Sequence, residues 1–384
     1  MGNTAEDLGP NQRLIGIEGS RAQLATPSLV IDLDVMERNM RTMADIFSGR
    51  PQNLRPHAKT HKCATIAKKQ IELGALGVCC AKPGEAIRLA EAGVPSLLLT
   101  SPVVDAYKVR RLVGLLPDLK ELIFAVDSRL AVDLISAAAT EAGVDVPVIV
   151  DIGIGNNRTG ARDTAAAVDL GKYITSKPGV TLSGIQCYAG YVQHIENPEK
   201  RAFEAKRSLK GIGDTKAAMF EAFGELPISS GSGTGSYDID LEADVFNEYQ
   251  VGSYIFMDVE YNAVTRPDQT AGPFATSLFV QTTVISANVE GRATTDAGYK
   301  SFAMDGPSPK VFSGASRETE YKFLGDEHGW VHLPAGEKDL TAGDVLTCVT
   351  PHCDPTVNLY DFYHIVRGDT LVDIWPIEAR GCSW

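Results

Sequence analysis

From about Ser28 to Asp258 the chain alternates two hydrophobic textures. Short β-branched and apolar runs (SLVIDL, NLRPHA, GVCCA, SLLLTS, ELIFAVD, VPVIVDIG, VTLSGIQCY, PISSGS and YQVGSYIF) predict strands. Between them, ATIAKKQIELG, EAIRLAEAG, AYKVRRLVGLL, RLAVDLISAAATEAG and TAAAVDLGKYI repeat apolar residues every three or four positions, which predicts amphipathic helices. Several of these helical runs stop at glycine, a common helix terminator. Regular β–α alternation implies a parallel sheet with helical crossovers. Nine strand-like runs are one more than a (β/α)8 barrel needs, and they also suit an open doubly wound sheet. Residues with chemical potential gather at the C-terminal ends of several different runs, as barrel active sites do, so the α/β class with a TIM-type barrel is the expectation. After about Pro267 the texture changes to short β-rich runs separated by turns, from SLFVQTTVISANVEG to LYDFYHIVRGDTLVDIWPIEARG, which predicts a separate antiparallel β domain.

The densest candidate chemistry is Arg55-Pro56-His57-Ala58-Lys59-Thr60-His61-Lys62, between a predicted strand and a helix beginning near Cys63. On extended backbone His57, Lys59 and His61 share a face. A lysine crowded by cations and partly desolvated gives up its proton more easily and is a better amine nucleophile, as a Schiff-base lysine must be. A basic surface turn is the plain alternative. Three glycine-rich stretches also follow strand-like runs: Gly153 to Gly160 (with Arg158), Ser230 to Ser236, and Gly252-Ser253-Tyr254. The first is a poor dinucleotide fingerprint, because Arg158 stands at the third glycine position. Exposed backbone N–H groups with serine and threonine hydroxyls can instead hold one phosphate, and two such loops late in a barrel point to a phosphate-bearing cofactor. In His352-Cys353-Asp354-Pro355, extended backbone would set His352 and Asp354 on one face and Cys353 on the other. An imidazole and a carboxylate suit Mg²⁺, Mn²⁺ or Zn²⁺. His194, in the loop after YAG, is a further site candidate, and His328 sits in a turn.

Composition narrows the class. The chain has 384 residues, 44% hydrophobic and 22% charged, which describes a globular protein of two domains. A net charge of −13 argues against nucleic acid or anionic membrane as partner. No run has the length of a membrane span, and the start MGNTAEDLGPNQR carries neither a signal-peptide apolar region nor a myristoylation match. Seven cysteines at scattered spacing form no disulfide or zinc pattern, so a reducing cytoplasm is expected.

Taken together, RPHAKTHK, GVCC, the run around Arg158, GIQCYAG, SGSGTGS, QVGSYIFMD, DEHG and PHCDPTVNLYD with the closing ARG resemble the D-threonine aldolases, within the alanine-racemase-like (fold type III) pyridoxal-phosphate enzymes. The resemblance runs from about Thr26 to the C-terminus. It implies a barrel followed by a β domain, with SLVIDL belonging to the β domain and NLRPHA becoming barrel strand one. Residues 1–34 would then pack with the β domain, 35–265 would form the cofactor-binding barrel, and 266–384 would carry the metal motif. The resemblance also implies pyridoxal 5'-phosphate held covalently by Lys59, Arg158 near its phenolic oxygen, and Tyr188 against its ring. Thr234, Gly235, Gly252 and Ser253 would serve the phosphate, and His57 and Tyr254 complete the expected cofactor neighbourhood. His352 and Asp354 would hold a divalent metal, Mn²⁺ or Mg²⁺ with Zn²⁺ as a further candidate. Two positions depart from the pattern: Ala81 where related aldolases often carry Gln, and Gln250 where alanine racemases carry Arg.

The implied reaction is a retro-aldol that turns a D-3-hydroxy amino acid into glycine and an aldehyde. Pyridoxal phosphate supplies the electron sink. His61 and His194 are the histidine candidates for the proton acceptor, beside a metal-activated water. The rival on this scaffold is a D-serine or 3-hydroxyaspartate dehydratase, whose relatives typically pair His with Cys two residues later; here that position is Asp354. A 3-hydroxyaspartate aldolase differs only in its aldehyde, and a non-enzymatic cofactor carrier lacks the β domain and metal motif. The expected partner is a small amino-acid substrate, and the resemblance implies a homodimer.

Overall fold

A computed structural model describes residues 7–153, 158–266, 272–337 and 339–384. The chain divides into two compact units, one of residues 1–42, 253–263 and 271–380, the other of 43–252, 264–270 and 381–384.

The chain enters by β1 (Ser28–Asp32) and α1 (Leu33–Phe47). The second unit then follows as β2 (Asn53–Leu54), α2 (Ala64–Glu72), β3 (Val78–Cys80), α3 (Pro83–Glu91), β4 (Ser96–Leu99), α4 (Ala106–Val113) and β5 (Glu121–Val126). It continues through α5 (Arg129–Ala142), β6 (Val146–Asp151), α6 (Thr164–Thr175), β7 (Val180–Cys187), α7 (Pro198–Phe223), β8 (Ile228–Gly231), α8 (Tyr237–Glu242) and β9 (Glu248–Tyr249). Strands β2 to β9 form one parallel eight-stranded sheet in the order β2-β9-β8-β7-β6-β5-β4-β3. Its two ends meet where His57 bridges Cys79 in parallel, with Leu76 N–H donating to Leu54 O (2.9 Å) and Cys79 N–H to Pro56 O (2.8 Å). The sheet is therefore a closed barrel, as expected. Strands buried on both faces read as continuous apolar runs, and Cys79, Leu98, Ile123, Ala125, Ile149 and Ile228 fill the interior together. The helices begin at acceptor side chains: Asp105 receives Lys108 N–H (2.9 Å) and Asp163 receives Ala166 N–H (2.7 Å). Helix α5 ends at Gly143 with φ 67°, where a left-handed cap favours glycine.

The other unit is almost entirely β. After α9 (Val259–Asn262) come β10 (Leu278–Val289), β11 (Arg292–Thr295), β12 (Lys310–Ser313), β13 (Glu320–Phe323), β14 (Gly329–His332) and β15 (Val345–Val349). The short α10 (Cys353–Val357), β16 (Phe362–Arg367) and β17 (Thr370–Pro376) complete it. Strand β10 pairs with both β11 and β15, and β11-β14-β13-β12-β15 link the rest, so these strands close into an antiparallel barrel. Strand β1 adds to this sheet: Ser28–Ile31 pair antiparallel with Leu278–Gln281, and Val30–Asp32 run parallel to His364–Val366. The SLVIDL run thus leaves the parallel barrel, as the resemblance implies.

Two expectations are corrected. The run YQVGSYIF is a strand only at Tyr249 and its predecessor Glu248, because Ser253 O accepts Phe256 N–H (3.1 Å) and Met257 N–H (2.8 Å) and curls the chain into a tight turn. The segment around Lys59 is likewise not extended. Ala58–Thr60 form a 3-10 turn in which Ala58 O accepts the N–H groups of both His61 (3.0 Å) and Lys62 (2.6 Å).

Candidate active site

In the barrel unit, three predicted residues meet at the C-terminal ends of different strands. Lys59 follows β2, Arg158 follows β6, and Tyr188 follows β7. Lys59 Nζ lies 5.8 Å from the centroid of the Tyr188 ring, and Arg158 Cζ lies 5.5 Å from it. Two cations thus flank one aromatic face, the setting for a planar, anionic, electron-withdrawing ligand. His57 Nδ1 accepts Lys59 N–H (3.3 Å), which puts the ring proton on Nε2, facing Thr100 Oγ1 at 3.2 Å. His61 is fully buried, and its Nδ1 accepts Cys63 N–H (3.1 Å), so it too carries its proton on Nε2. His194 is exposed, on the segment after the turn Gly190–Val192. Of the run around Arg158, residues 154–157 lie outside the described residues.

Arg55, four residues before Lys59, has a different fate. Its side chain is buried at the N-terminal end of the barrel, bonded to Glu248 (2.8 and 3.2 Å), Glu121 (2.9 Å) and Ser96 Oγ (2.9 Å). Burial alone would lower its pKa, but Glu248 and Glu121 outweigh that and raise it, so it stays charged. The basic run is therefore not one cation-crowded patch: its arginine closes the barrel floor, while its first lysine faces Tyr188.

The glycine-rich loop after β8 is tightly built. Ser232 takes φ 73°, a left-handed conformation uncommon for a residue with a side chain. A Cβ on Gly233 would fall 2.4 Å from Gln193 Oε1, and one on Gly235 would fall 2.1 Å from Gln193 O. Gly252 is similarly confined, its would-be Cβ 2.5 Å from Thr60 Oγ1. These positions need glycine because neighbouring atoms leave no space, and such turns present backbone N–H groups as a phosphate cradle does, so the residues present fit a phosphate-bearing cofactor. Thr234 is buried in the same loop. Asp240, the buried acid in α8, accepts from Ser236 Oγ (2.7 Å). Burial pushes its pKa up to about 7 against the hydroxyls of Ser232 and Ser236, with Asp238 adding to the rise.

Deeper in the barrel, Gln250 Nε2 donates to Ser230 Oγ (2.9 Å) and Gln186 Oε1 (3.4 Å). Gln186 Nε2 donates in turn to Asp151 Oδ1 (3.0 Å) and Thr100 O (2.6 Å). The neutral Gln250 is thus held in a network of amides and supplies no positive charge. Ala81 places only its backbone near a polar group, donating to Glu85 Oε2 (3.2 Å).

In the β unit, the metal motif is a helix start. His352 precedes α10 in extended conformation, and the helix begins at Cys353, so the expected strand-like alternation ends at His352. Cys353 is nonetheless turned inward: it is fully buried, and burial raises its pKa well above the ordinary thiol value. Its N–H donates to Asp258 Oδ2 (2.8 Å), while Asp258 Oδ1 caps α9 through Tyr261 N–H (2.8 Å). His352 Nδ1 lies 2.8 Å from Asp305 Oδ2. Burial lowers the His352 pKa, but Asp354, Asp305 and Asp258 outweigh it and raise it, which marks a locally negative place. A carboxylate on Nδ1 fixes the ring and turns Nε2 outward as a ligand atom, the usual arrangement behind a metal-binding histidine. The donor set thus fits a divalent ion. Among the described residues no cluster of three or more His, Cys, Asp or Glu has the spacing to hold one, so water or substrate would complete its shell. Ser253 and Tyr254 are buried in this unit, Tyr254 against Phe274 at 5.5 Å between ring centroids.

Sequence reasoning did not single out Thr100, Gln193, Asp240, Asp258 or Asp305. Asp240 alone had a local signal, standing four residues after Ser236 at the start of a helix. The partners His352 and Asp305 are 47 residues apart in the chain.

Comparison with known proteins agrees with this geometry. Residues 31–260 match the family "Alanine racemase, N-terminal domain", and residues 277–366 match the "Putative serine dehydratase domain". A D-threonine aldolase from Arthrobacter sp is 37% identical over 94% of each chain. A 3-hydroxy-D-aspartate aldolase from Paracoccus denitrificans (strain Pd 1222) is 35% identical, over 94% of this chain and 93% of the relative. The crystal structure of D-threonine aldolase from Filomicrobium marinum superposes with a TM-score of 0.89 at 37% identity, over 94% of this chain and 97% of that one. The chain belongs to the alanine-racemase-like, fold type III family of pyridoxal-phosphate enzymes.

Proposed function

We propose that this protein is a pyridoxal-phosphate-dependent, divalent-metal-assisted aldolase that splits D-threonine and related D-3-hydroxy amino acids into glycine and an aldehyde. The observation that carries the reading is the placement of both Lys59 and Arg158 near the Tyr188 ring centre, at 5.8 and 5.5 Å. Once bound, the cofactor supplies an electron sink for the pair released when the Cα–Cβ bond breaks. Lys59 provides the amine that anchors it, Tyr188 supports its ring, and Arg158 offsets charge at its phenolic oxygen. The loops at Thr234 and Gly235 and at Gly252 and Ser253 would receive the phosphate, Gly235 through the shape of the turn because its own N–H goes to Gln193, with His57 and Tyr254 as further members of the cofactor neighbourhood. A divalent ion at His352 and Asp354, Mn²⁺ or Mg²⁺ before Zn²⁺, would lower the pKa of the substrate's β-hydroxyl. Its proton would pass to metal-activated water, His61 or His194; at His61 the accepting Nδ1 is already held by Cys63 N–H.

Asp354 and Cys353 separate this reading from dehydration. The residue two after His352 is a carboxylate, a hard ligand, and the neighbouring thiol is buried and held in its protonated form by that burial. We assign the cofactor to residues 35–265 and the metal to 266–384. Residues 1–34 go with the metal-bearing domain, supported by the pairing of Ser28–Ile31 with Leu278–Gln281. The Paracoccus relative supports 3-hydroxy-D-aspartate as an alternative substrate of the same reaction. All seven cysteines are buried, which supports a reducing cytoplasm, and the family resemblance supports a homodimer. No helix among the described residues is long and apolar enough to cross a membrane.

The test is to offer D-threonine, D-serine and D-3-hydroxyaspartate to protein supplied with pyridoxal phosphate and Mn²⁺, scoring glycine, aldehyde, 2-oxo acid and ammonia. Glycine with aldehyde is expected from D-threonine. Removing the metal with a chelator, or making Asp354→Ala, should cut that activity on the order of a thousandfold while the cofactor stays attached. Ammonia and 2-oxo acid without glycine would sink the aldolase reading.

A further inference from the structure

The glycine-rich loop after β8 is shaped by a side chain from a different part of the barrel. Gln193 comes from the segment after β7 and is 1% exposed. Its Oε1 accepts Gly235 N–H (2.9 Å), its Nε2 donates to Ser236 Oγ (3.0 Å), and Ser236 Oγ donates to Asp240 Oδ2 (2.7 Å). Each bond points the same way, from a loop N–H to a buried carboxylate. The amide orientation follows from it, since a backbone N–H must meet the carbonyl oxygen. A Cβ on Gly233 would meet the Gln193 side-chain oxygen at 2.4 Å, and one on Gly235 would meet the backbone oxygen of Gln193 at 2.1 Å. The loop is therefore folded around Gln193, and the neighbouring Ser232, at φ 73°, needs such support to hold its conformation.

We propose that Gln193, backed by Ser236 and Asp240, is a positioning residue that sets the shape of the phosphate-binding loop without touching the phosphate itself. The inference rests on the reading of this loop as the phosphate site. It makes the affinity for pyridoxal phosphate, but not for pyridoxal, depend on a glutamine from another loop. A preorganised ring of N–H donors recognises the phosphate; a loop released from Gln193 loses that order and the discrimination with it.

The test titrates apoprotein with pyridoxal phosphate and with pyridoxal, reading the visible absorbance of the lysine-bound cofactor. The wild type should bind the phosphorylated form much more tightly. Gln193→Leu and Ser236→Ala should each lower that preference by about tenfold or more, through weaker pyridoxal-phosphate binding, with pyridoxal affinity unchanged. Asp240→Asn keeps an acceptor for the Ser236 hydroxyl and should retain the preference. Should Gln193→Leu not fold, Ser236→Ala decides. A wild type that discriminates, with variants that discriminate equally well, overturns the inference alone. A wild type that does not distinguish the two compounds overturns the phosphate reading and the inference with it. Equal weakening toward both compounds assigns Gln193 a general structural role and also overturns the proposal.

Discussion

The two ends of the parallel barrel treat charge in opposite ways. At the N-terminal end Arg55 is buried and matched by Glu248, Glu121 and Ser96 at 2.8 to 3.2 Å. At the C-terminal end Lys59 and Arg158 lie over an aromatic ring, and the buried Asp240 meets serine hydroxyls instead of a cation. The first arrangement is closed: each charge has a partner of opposite sign within the protein. The second gathers two cations beside an aromatic ring, where a ligand can bind. Only four positions separate Arg55 from Lys59, yet the turn at Ala58–Thr60 divides them into a structural and a chemical role. In a barrel of this type the bottom reads as stability and the top as function.

Lys59→Ala attacks the chemical end, and the largest effect is expected there. It should abolish the visible absorbance of the bound cofactor and reduce turnover on the order of a thousandfold or more, while leaving the denaturant midpoint of the apoprotein close to wild type. A variant that still yields a borohydride-reducible link between protein and cofactor would falsify the assignment. Arg55→Met attacks the other end. Removing one partner of a buried ion pair strands the others, so a loss of about 3–5 kcal/mol in unfolding free energy is expected. Activity per folded molecule should be unchanged. If Arg55→Met instead loosened the cofactor at constant stability, the division between the two ends would fail.

Asp240 sharpens the contrast, because a carboxylate there has no cation to hold it charged. Its pKa in the folded protein is about 7, raised by burial, against roughly 3.9 in an unfolded chain. The native state therefore binds the proton more tightly than the unfolded state. Its stabilising contribution is complete below about pH 4 and is lost as pH rises toward 7 and beyond, at up to about 1.4 kcal/mol per pH unit. Asp240→Asn removes this titration, so urea midpoints measured at pH 5 and pH 8 should fall less in the variant than in the wild type. An equal fall in both would mean that Asp240 remains ionised throughout.

Much of this was legible in the sequence. The parallel strands are apolar on both faces, so their order of appearance could be read directly, although the runs numbered nine and only the resemblance set SLVIDL apart from the eight of the barrel. Lys59 could be named from its place after such a strand, while the roles of Arg158 and Tyr188 came from the family resemblance. What could not be read is what depends on tertiary neighbours. Arg55 looks like part of a basic patch until Glu121 and Glu248 are brought beside it, 66 and 193 residues along the chain. Helix α7, rich in Lys, Glu and Ala and spanning 26 residues, has too weak an apolar stripe to stand out. Gln193 carries no motif, and its role exists only because the loop at Gly233 and Gly235 closes on it. Asp305 is visible only as the partner of His352.

Thr234→Val carries the smallest expected effect and tests the comparison most finely. The replacement keeps the β-branched shape of the buried side chain and removes its hydroxyl, so packing in the loop changes little. If the C-terminal end of the barrel is built for a ligand, the loss should appear as weaker retention of pyridoxal phosphate, about tenfold for one hydrogen bond to a charged group. Pyridoxal, which has no phosphate, should bind as it does to the wild type, and the thermal midpoint of the apoprotein should move by no more than a few degrees. Cofactor affinities measured by dialysis and absorbance distinguish the outcomes. A fall in stability with unchanged cofactor affinity would make Thr234 a structural residue like Arg55, and the functional end of the barrel would then begin above this loop rather than within it.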